Sequence, residues 1–380
     1  MAAHPSHGTW SDRSRAADSR SEPRRTLTRL LQECGIEPGG PNAWDIQVLN
    51  DDFYARVLAN GSLGLGESYV DGWWEVRDLE GFIYRLLSAR LDKKVGTWRN
   101  TLAWLIASFT NLQRPSRAFQ VGERHYDLGN EFYAGMLDRR MIYSCAYWES
   151  ARTLEEAQDA KLSLTLGKLG LRIGQRVLDV GCGWGGALKF AAEEYGVTGV
   201  GVTIARQQAD YARRACAGLP IEIRLQDYRE LDEQFDHVYS IGMFEHVGVR
   251  NYRAYMNVIR RCLNPGGRFL LHTIGGFEST NHVDPWMNRY IFPNAMLPSQ
   301  QQIVLAIEGL FTIEGWQRIG THYERTLLAW RANFERYWAE LGAPDERFRR
   351  MWHYYLSTCA GAFRAKTIDV WQVLMVPNAR

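Results

Sequence analysis

A glycine-rich turn near the middle of the chain is the strongest sign of a binding site. The run RVLDV predicts a buried strand that leads into Gly181, Gly183 and Gly186, where a helix is expected to begin. Glycines allow a tight turn and let the backbone approach a ligand at the helix start. The spacing fits the GxGxxG pattern of dinucleotide sites, but the acid expected about 20 residues further on is absent, since the next strand ends at Thr203. The acid stands before the loop instead, at Asp179, and a carboxylate there favours a cationic ligand over a pyrophosphate.

Two further polar residues follow predicted strands and are candidates for acid–base chemistry. Glu245 comes after a strand at 237–241, and His272 ends a strand at 268–272. The carboxyl ends of parallel strands form the ligand cleft in open α/β sheets, so both residues are expected near the glycine turn. On the residues alone, ordinary alternatives stay open: the Glu245-His246 pair can cap a loop, and His272 can be a hydrogen-bonded core histidine.

Alternating strands and helices must position these residues. Such alternation predicts βαβ units and a parallel sheet covered on both faces. The predicted strands are 176–180, 198–202, 221–224, 237–241, 268–272, 311–318 and 369–376. The predicted helices are 186–195, 206–217, 252–262, 325–341 and 343–363.

The first third of the chain differs from the rest in composition and in residue pattern. Residues 1–25 are rich in Ser, Ala and Arg without periodicity, which predicts a disordered tail. A helix is expected around Thr26–Cys34 and a strand at Asp45–Asn50. The predicted units are the tail 1–25, an N-terminal domain 26–113, a linker 114–122 and a catalytic domain 123–380.

A basic amphipathic segment closes the predicted N-terminal domain. Trp98, Leu102, Leu105, Phe109 and Leu112 fall on one face of a helix. The surrounding stretch, residues 85–117, holds seven basic residues and one acidic residue. Such a helix can lie on an anionic bilayer or can be a core helix with a solvated basic face, and the pattern alone leaves both interpretations open.

Composition narrows the class of protein. Of the 380 residues, 46% are hydrophobic, which is typical of a globular protein. The formal net charge of only +2 argues against a general nucleic-acid binder. No apolar run reaches the ~18–20 residues of a membrane span, and no secretory signal is evident. The six cysteines form no CxxC pair, so neither a zinc site nor a disulfide framework is predicted, and reduced thiols in a cytosol are expected. Fourteen Trp residues suggest extended apolar contact surface.

Motifs along most of the chain resemble those of the bacterial cyclopropane-fatty-acyl-phospholipid synthases, and the mycolic-acid cyclopropane synthases and methyltransferases are related. The resemblance runs from about Leu27 to Val376 and includes an N-terminal domain that the mycolic-acid enzymes lack. It rests on GSLGLGESYVDGWW, HYDLGNEFY, YSCAYW, VLDVGCGWGG, GVTIARQQ, QDYRELDEQFD, SIGMFEHVG, LLHTIGG and CAGAFRA.

The resemblance implies a class I S-adenosylmethionine (SAM) methyltransferase fold: Rossmann-like α/β with a mostly parallel seven-stranded sheet and a smaller N-terminal lipid-engaging domain. It also implies that a methylene derived from SAM is added across a cis double bond of an acyl chain in a membrane phospholipid. The implied SAM-contact positions are Tyr143, Ser144, Asp179, Gly181, Gly183, Thr203, Gln208, Gln226, Asp227 and Tyr228. GVTIARQQ looks one residue shorter than the related motif, so Gln207 is the alternative to Gln208.

The family uses bound bicarbonate as the base for ring closure. The implied ligands are Cys145, Glu245, His272, Ile274 through its backbone, and Tyr323. Cys359 also matches a family cysteine and is kept as a site candidate, although a structural role is the competing interpretation. Aromatic faces are expected to stabilise the intermediate carbocation, and the candidates are Tyr143, Trp148, Phe244, Trp286 and Tyr290.

The resemblance also sets expectations about partners and location. They are unsaturated phospholipids as substrate, peripheral association with the inner face of the cytoplasmic membrane, and a cytoplasmic enzyme that can be a homodimer. Residues 282–299 are expected to cover the substrate channel. Two alternatives remain: a fatty-acyl C-methyltransferase with a branched or methylene product, and a catalytically silent lipid-surface protein.

Overall fold

The computed structural model describes residues 10–90, 129–280 and 283–379. The N-terminal part consists of α1 (Trp10–Glu33), β1 (Gln47–Val48), α2 (Asp52–Val70), β2 (Trp74–Glu75) and α3 (Leu79–Ser88). Strands β1 and β2 pair antiparallel. Helix α1 corrects the sequence prediction, because it begins at Trp10, inside the stretch predicted to be a disordered tail.

The rest of the described chain alternates helices and strands around one sheet. In chain order its elements are α4 (Asn130–Met136), α5 (Leu154–Gly167), β3 (Arg176–Val180), α6 (Gly186–Tyr195), β4 (Thr198–Thr203), α7 (Arg206–Ala215), β5 (Ile221–Leu225), β6 (Phe235–Ile241), α8 (Tyr252–Arg261), β7 (Leu263–Gly276), α9 (Pro285–Tyr290), α10 (Gln300–Ile307), β8 (Phe311–Arg318), α11 (Tyr323–Glu340), α12 (Glu346–Arg364) and β9 (Ile368–Pro377). The seven strands of the large sheet follow the order β5-β4-β3-β6-β7-β9-β8.

The sheet is parallel from β5 to β7 and antiparallel where β9 inserts between β7 and β8. Buried apolar residues fill both faces, as expected for a sheet covered by helices. The order reverses between β3 and β6, and the carboxyl ends of these strands open into a crevice at such a point. The predicted α/β architecture with a mostly parallel seven-stranded sheet is confirmed.

One apolar core joins the N-terminal helices to the C-terminal ones. It contains residues of α1, α2 and α3 together with residues of α11 and α12, which form a dense aromatic cluster. The contact is close at Gly66 of α2, where an added Cβ would lie 2.4 Å from the Trp286 ring of α9. The Tyr290 hydroxyl, also on α9, donates to Glu67 of α2 at 2.9 Å. Helices α1–α3 therefore share one apolar core with α11 and α12.

Several sequence predictions fall outside the described residues. They are the amphipathic segment 98–112, most of the basic stretch 85–117, the linker 114–122 and the exact domain boundaries. Arg85 is described, and its guanidinium lies over the Trp44 ring at 3.8 Å. None of the helices in the described ranges combines the length and apolarity that a membrane span requires.

Candidate active site

A cleft opens at the carboxyl ends of β3, β4 and β6. All ten residues predicted to contact SAM line it. The glycine turn gives the cleft its floor, with positive φ angles of 89° at Gly181 and 53° at Gly183. An added Cβ at Gly186 would lie 2.1 Å from the Arg140 carbonyl oxygen, so only glycine fits there without movement.

The structure separates the two candidate glutamines. Gln208 is buried and lines the cleft, where its Oε1 accepts a hydrogen bond from the Thr203 hydroxyl at 3.0 Å. Gln207, one position earlier on α7, is exposed and does not line the cleft. The geometry therefore favours Gln208 over Gln207 as the ligand contact.

The acid before the glycine turn lies in a dry environment. Asp179 is 2% exposed, and burial raises the pKa of its carboxyl to about 7, while the positive charge of Lys161 opposes the shift. Lys161 also lines the cleft and donates from Nζ to the Ser144 hydroxyl at 2.8 Å. Burial lowers the pKa of this lysine to about 8.

Lys161 is a cleft residue that was not predicted from the sequence. A signal for it exists, because Leu154, Ala157, Gln158, Lys161 and Leu162 follow the spacing of the buried face of α5. A lysine at such a position needs a polar partner inside the protein, since an isolated buried ammonium is costly. Its partner here is the Ser144 hydroxyl.

Glu245 has an arrangement that suggests a missing partner. Its Oε1 accepts from the Ile274 backbone amide at 2.6 Å, so two of the predicted bicarbonate ligands are in direct contact. Its Oε2 is buried, and among the described residues no donor meets it in hydrogen-bonding geometry, although the nearby Thr273 hydroxyl, which donates to the Ile274 carbonyl, helps to lower the pKa of the carboxyl. Burial raises the pKa of this carboxyl to about 7, and the Ile274 amide opposes the shift. A buried carboxylate oxygen without a donor is costly unless a ligand pairs with it.

Tyr323 lies among the other candidates. Burial raises the pKa of its hydroxyl well above the usual range, and Cys145, Cys359 and Glu245 lie close enough to add to that shift. Burial also raises the pKa of the Cys145 thiol strongly and that of Cys359 to about 12. The Cys145 Sγ donates weakly to the Ile319 carbonyl at 3.7 Å. Both cysteines are therefore neutral thiols at neutral pH and poor nucleophiles.

His272 lies on the side of the sheet that α5 covers. It is 2% exposed, and its Nδ1 is 3.2 Å from Nε2 of Gln372 on the neighbouring strand β9. Burial lowers the pKa of the imidazole well below its usual range, and Lys161 and Lys168 add to that shift. His272 is thus neutral, and among the described residues it makes no hydrogen bond to Glu245 or Tyr323.

The aromatic candidates are dispersed. Tyr143 lines the cleft, and its hydroxyl lies 2.8 Å from the Tyr355 hydroxyl. The other four candidate rings do not line this cleft, and their role in stabilising a cation stays a prediction. Phe244 stacks on Tyr252, Trp148 donates to Thr326, and Trp286 and Tyr290 pack against α2.

A seven-stranded sheet with a glycine turn, a buried acid and a cleft at the strand ends defines a class I SAM-dependent methyltransferase. The solved cyclopropane synthase structures bear this out. The mycolic acid cyclopropane synthase CmaA1, complexed with S-adenosylhomocysteine (SAH) and CTAB, has a TM-score of 0.64 and 35% identity over 68% of this chain and 98% of its own.

The chain belongs to the mycolic acid cyclopropane synthetase family, whose model matches residues 113–373. It is 50% identical over 352 residues to the cyclopropane-fatty-acyl-phospholipid synthase of Escherichia coli, covering 92% of each chain. It is 32% identical over 388 residues to the tuberculostearic acid methyltransferase UfaA1 of Mycobacterium tuberculosis, covering 93% of this chain and 89% of that protein. The family resemblance in the motifs is thereby confirmed.

The two glutamines of α7 provide a matched test of the cleft. Gln208→Ala is expected to weaken SAH binding about tenfold, because a buried polar contact in the cleft is lost. Gln207→Ala is expected to leave the affinity within about twofold, because its side chain is exposed. Isothermal titration calorimetry measures both. A larger loss for Gln207→Ala than for Gln208→Ala would contradict the assignment.

Proposed function

We propose that this protein transfers a methylene group from SAM to the cis double bond of an unsaturated acyl chain in a membrane phospholipid. The products are a cyclopropane acyl chain and SAH. The observation that carries the proposal is the buried Oε2 of Glu245, which lacks a donor in a region next to the SAM cleft. The names of the relatives support the same reaction.

The reaction requires two bond changes at the substrate. The π electrons of the alkene form a bond to the sulfonium methyl carbon while the S–CH3 bond breaks, which leaves SAH and a carbocation on the acyl chain. A proton then leaves the new methyl group, and its C–H electron pair closes the three-membered ring. An isolated alkene is a weak nucleophile, so alignment and exclusion of water must lower the barrier.

The residues around Glu245 fit a small oxyanion that carries its own proton. An ionised Oε2 of Glu245 can accept a hydrogen bond from such an anion, while Tyr323, a neutral phenol, can donate to it. Bound bicarbonate has this chemistry, and it would supply the base that takes the methyl proton. Ile274 would hold Glu245 in place through its amide.

The protonation states of the cysteines protect the enzyme from its own reagent. A thiolate beside a sulfonium would be methylated, because thiolates are strong nucleophiles. Burial keeps Cys145 and Cys359 protonated. We assign Cys145 to the wall of the anion site, and the high pKa of Cys359 favours a structural role.

Analysis of the lipid product tests the proposal. Expression in cells that lack the activity, followed by mass spectrometry of fatty-acid methyl esters, is expected to show acyl chains that have gained CH2 and lost the alkene. A branched or methylene product would instead indicate a fatty-acyl C-methyltransferase. Absence of any product, together with no thermal shift on addition of SAM, would indicate a catalytically silent lipid-binding protein.

Glu245→Gln tests the proton-accepting site. The variant keeps the size of the side chain but removes the negative oxygen, so turnover is expected to fall about 100-fold or more, as is typical for a positioned acid–base group. SAH affinity should stay unchanged. Glu324→Gln, next to Tyr323 on α11, is the matched control. Near-normal turnover of Glu245→Gln would show that Glu245 does not support proton removal.

We further propose that the enzyme is cytoplasmic and binds the inner face of the membrane peripherally. The basic residues of 85–117 are the candidate contact, because interleaved Arg, Lys and apolar residues suit an anionic surface. The Arg85 guanidinium lies over the Trp44 ring. The basic residues after Arg85 in this stretch are therefore the ones proposed to contact the membrane.

Vesicle flotation tests this surface. Neutralising Lys93, Lys94 and Arg99 to Gln is expected to weaken binding to vesicles that contain anionic phospholipid and to reduce its salt sensitivity. The control variant neutralises three exposed residues of the catalytic domain, Arg172, Arg214 and Arg250. Equal binding of the wild type and the first variant would show that Lys93, Lys94 and Arg99 do not contribute to membrane binding.

A further inference from the structure

A hydrogen-bond chain inside the protein ends at His272. Lys168, on the segment after α5, contacts Oε1 of Gln372 through its Nζ. Nε2 of Gln372 lies 2.9 Å from the Thr165 hydroxyl oxygen and 3.2 Å from Nδ1 of His272. The Thr165 hydroxyl donates to the Lys161 carbonyl at 2.6 Å. The residues that form this series of hydrogen bonds are all buried, apart from Lys168, which is half-buried.

The donor and acceptor roles in this chain are fixed by elimination. An ammonium only donates, so Lys168 must face the carbonyl oxygen of the Gln372 amide. The amide nitrogen of Gln372 therefore faces Thr165 and His272, and it can only donate. The Thr165 hydroxyl can accept, since its own proton goes to the Lys161 carbonyl. Nδ1 of His272 must then be an acceptor without a proton.

A neutral imidazole carries one proton, so an accepting Nδ1 places that proton on Nε2. His272 is buried beside two lysines, which disfavour a second proton. The arrangement is rigid, because His272 and Gln372 are direct partners in the β7–β9 pairing and both side chains are almost fully buried. The second ring nitrogen of His272 is thus presented as a hydrogen-bond donor.

We propose that Gln372, oriented by Lys168 and Thr165, is a positioning residue that locks His272 in the Nε2–H tautomer, so that the imidazole donates a hydrogen bond to the oxyanion of the ring-closing step. This inference rests on the proposed function. The opposite tautomer would turn a nitrogen lone pair toward the same anion and repel it.

Gln372→Glu reverses the hydrogen bond at nearly constant volume. A carboxylate can only accept, so Nδ1 of His272 must take up a proton and Nε2 loses its donor role unless the ring becomes charged. Turnover is expected to fall about 10–100-fold, the usual effect of removing a residue that orients a ligating histidine. KM for the lipid and SAH affinity are expected to change little, because neither contact is removed.

The matched control is Gln317→Glu. Gln317 stands on β8 directly opposite Gln372 in the β8–β9 pairing, and the same substitution there leaves the contact with His272 intact. Lys168→Met is a second variant. Without the ammonium, the Gln372 amide can rotate by half a turn, so that its oxygen and nitrogen exchange places. Lys168→Arg, which still donates to the amide oxygen, is expected to restore most of the turnover that Lys168→Met loses.

The tautomer itself can be observed independently of activity. Nitrogen-15 NMR of histidine-labelled protein with SAH bound distinguishes the two neutral tautomers, and the His272→Asn spectrum identifies the His272 signals. The wild type is expected to show a neutral ring with the proton on Nε2, and Gln372→Glu is expected to show a proton on Nδ1.

Two results would overturn the inference: a wild-type His272 with its proton on Nδ1, or a Gln372→Glu enzyme whose turnover equals that of Gln317→Glu. If Gln372→Glu does not fold, the wild-type spectrum and the turnover of the Lys168→Met and Lys168→Arg variants test the role of Gln372. Failure of the proposed function is distinguishable, because the wild type would then form no cyclopropane product whatever the His272 tautomer.

Discussion

Loss of water around ionisable side chains is the physical constraint on which the active site depends. Burial raises the pKa of the carboxyls of Asp179 and Glu245 to about 7, and it lowers the pKa of His246 to about 4. The same effect keeps Cys145 and Cys359 as thiols. A charged methyl donor can react with a weak nucleophile only if stronger nucleophiles and water are kept away, and burial meets both conditions.

The fold excludes water by placing side chains of the N-terminal and C-terminal helices in one aromatic-rich core. Helix α12 packs against α2 and α3, with Tyr354 against Tyr69, and α11 packs against α12 and α4. The large aromatic content found in the sequence is therefore mostly buried packing surface. Helix α9 is fixed against α2 by Trp286 on Gly66 and by the Tyr290–Glu67 hydrogen bond. The segment predicted to cover the substrate channel is therefore held in place by the N-terminal part.

Local patterns were sufficient for the sheet but not for contacts between distant residues. The strands from 176 to 272 and the glycine turn were predictable, because each is an apolar run bounded by turn residues. The start of α1 at Trp10 was missed, since the segment lacks an apolar period. The choice of Gln208, the burial of Lys161, and the Gln372–His272 contact across 100 residues all depend on tertiary packing. Composition does not distinguish a core ring from a ring that faces a ligand, so the sequence did not indicate that Tyr143 alone among the five aromatic candidates lines the cleft.

Carbon-13 NMR of labelled bicarbonate added to the SAH-bound protein tests the central claim most directly. The account predicts a bound bicarbonate signal in slow exchange or a broadened free signal for the wild type, and neither effect for Glu245→Gln at the same concentration. The same response in both proteins, or no response in a wild type that forms cyclopropane lipid, would contradict the assignment of Glu245 to an oxyanion site.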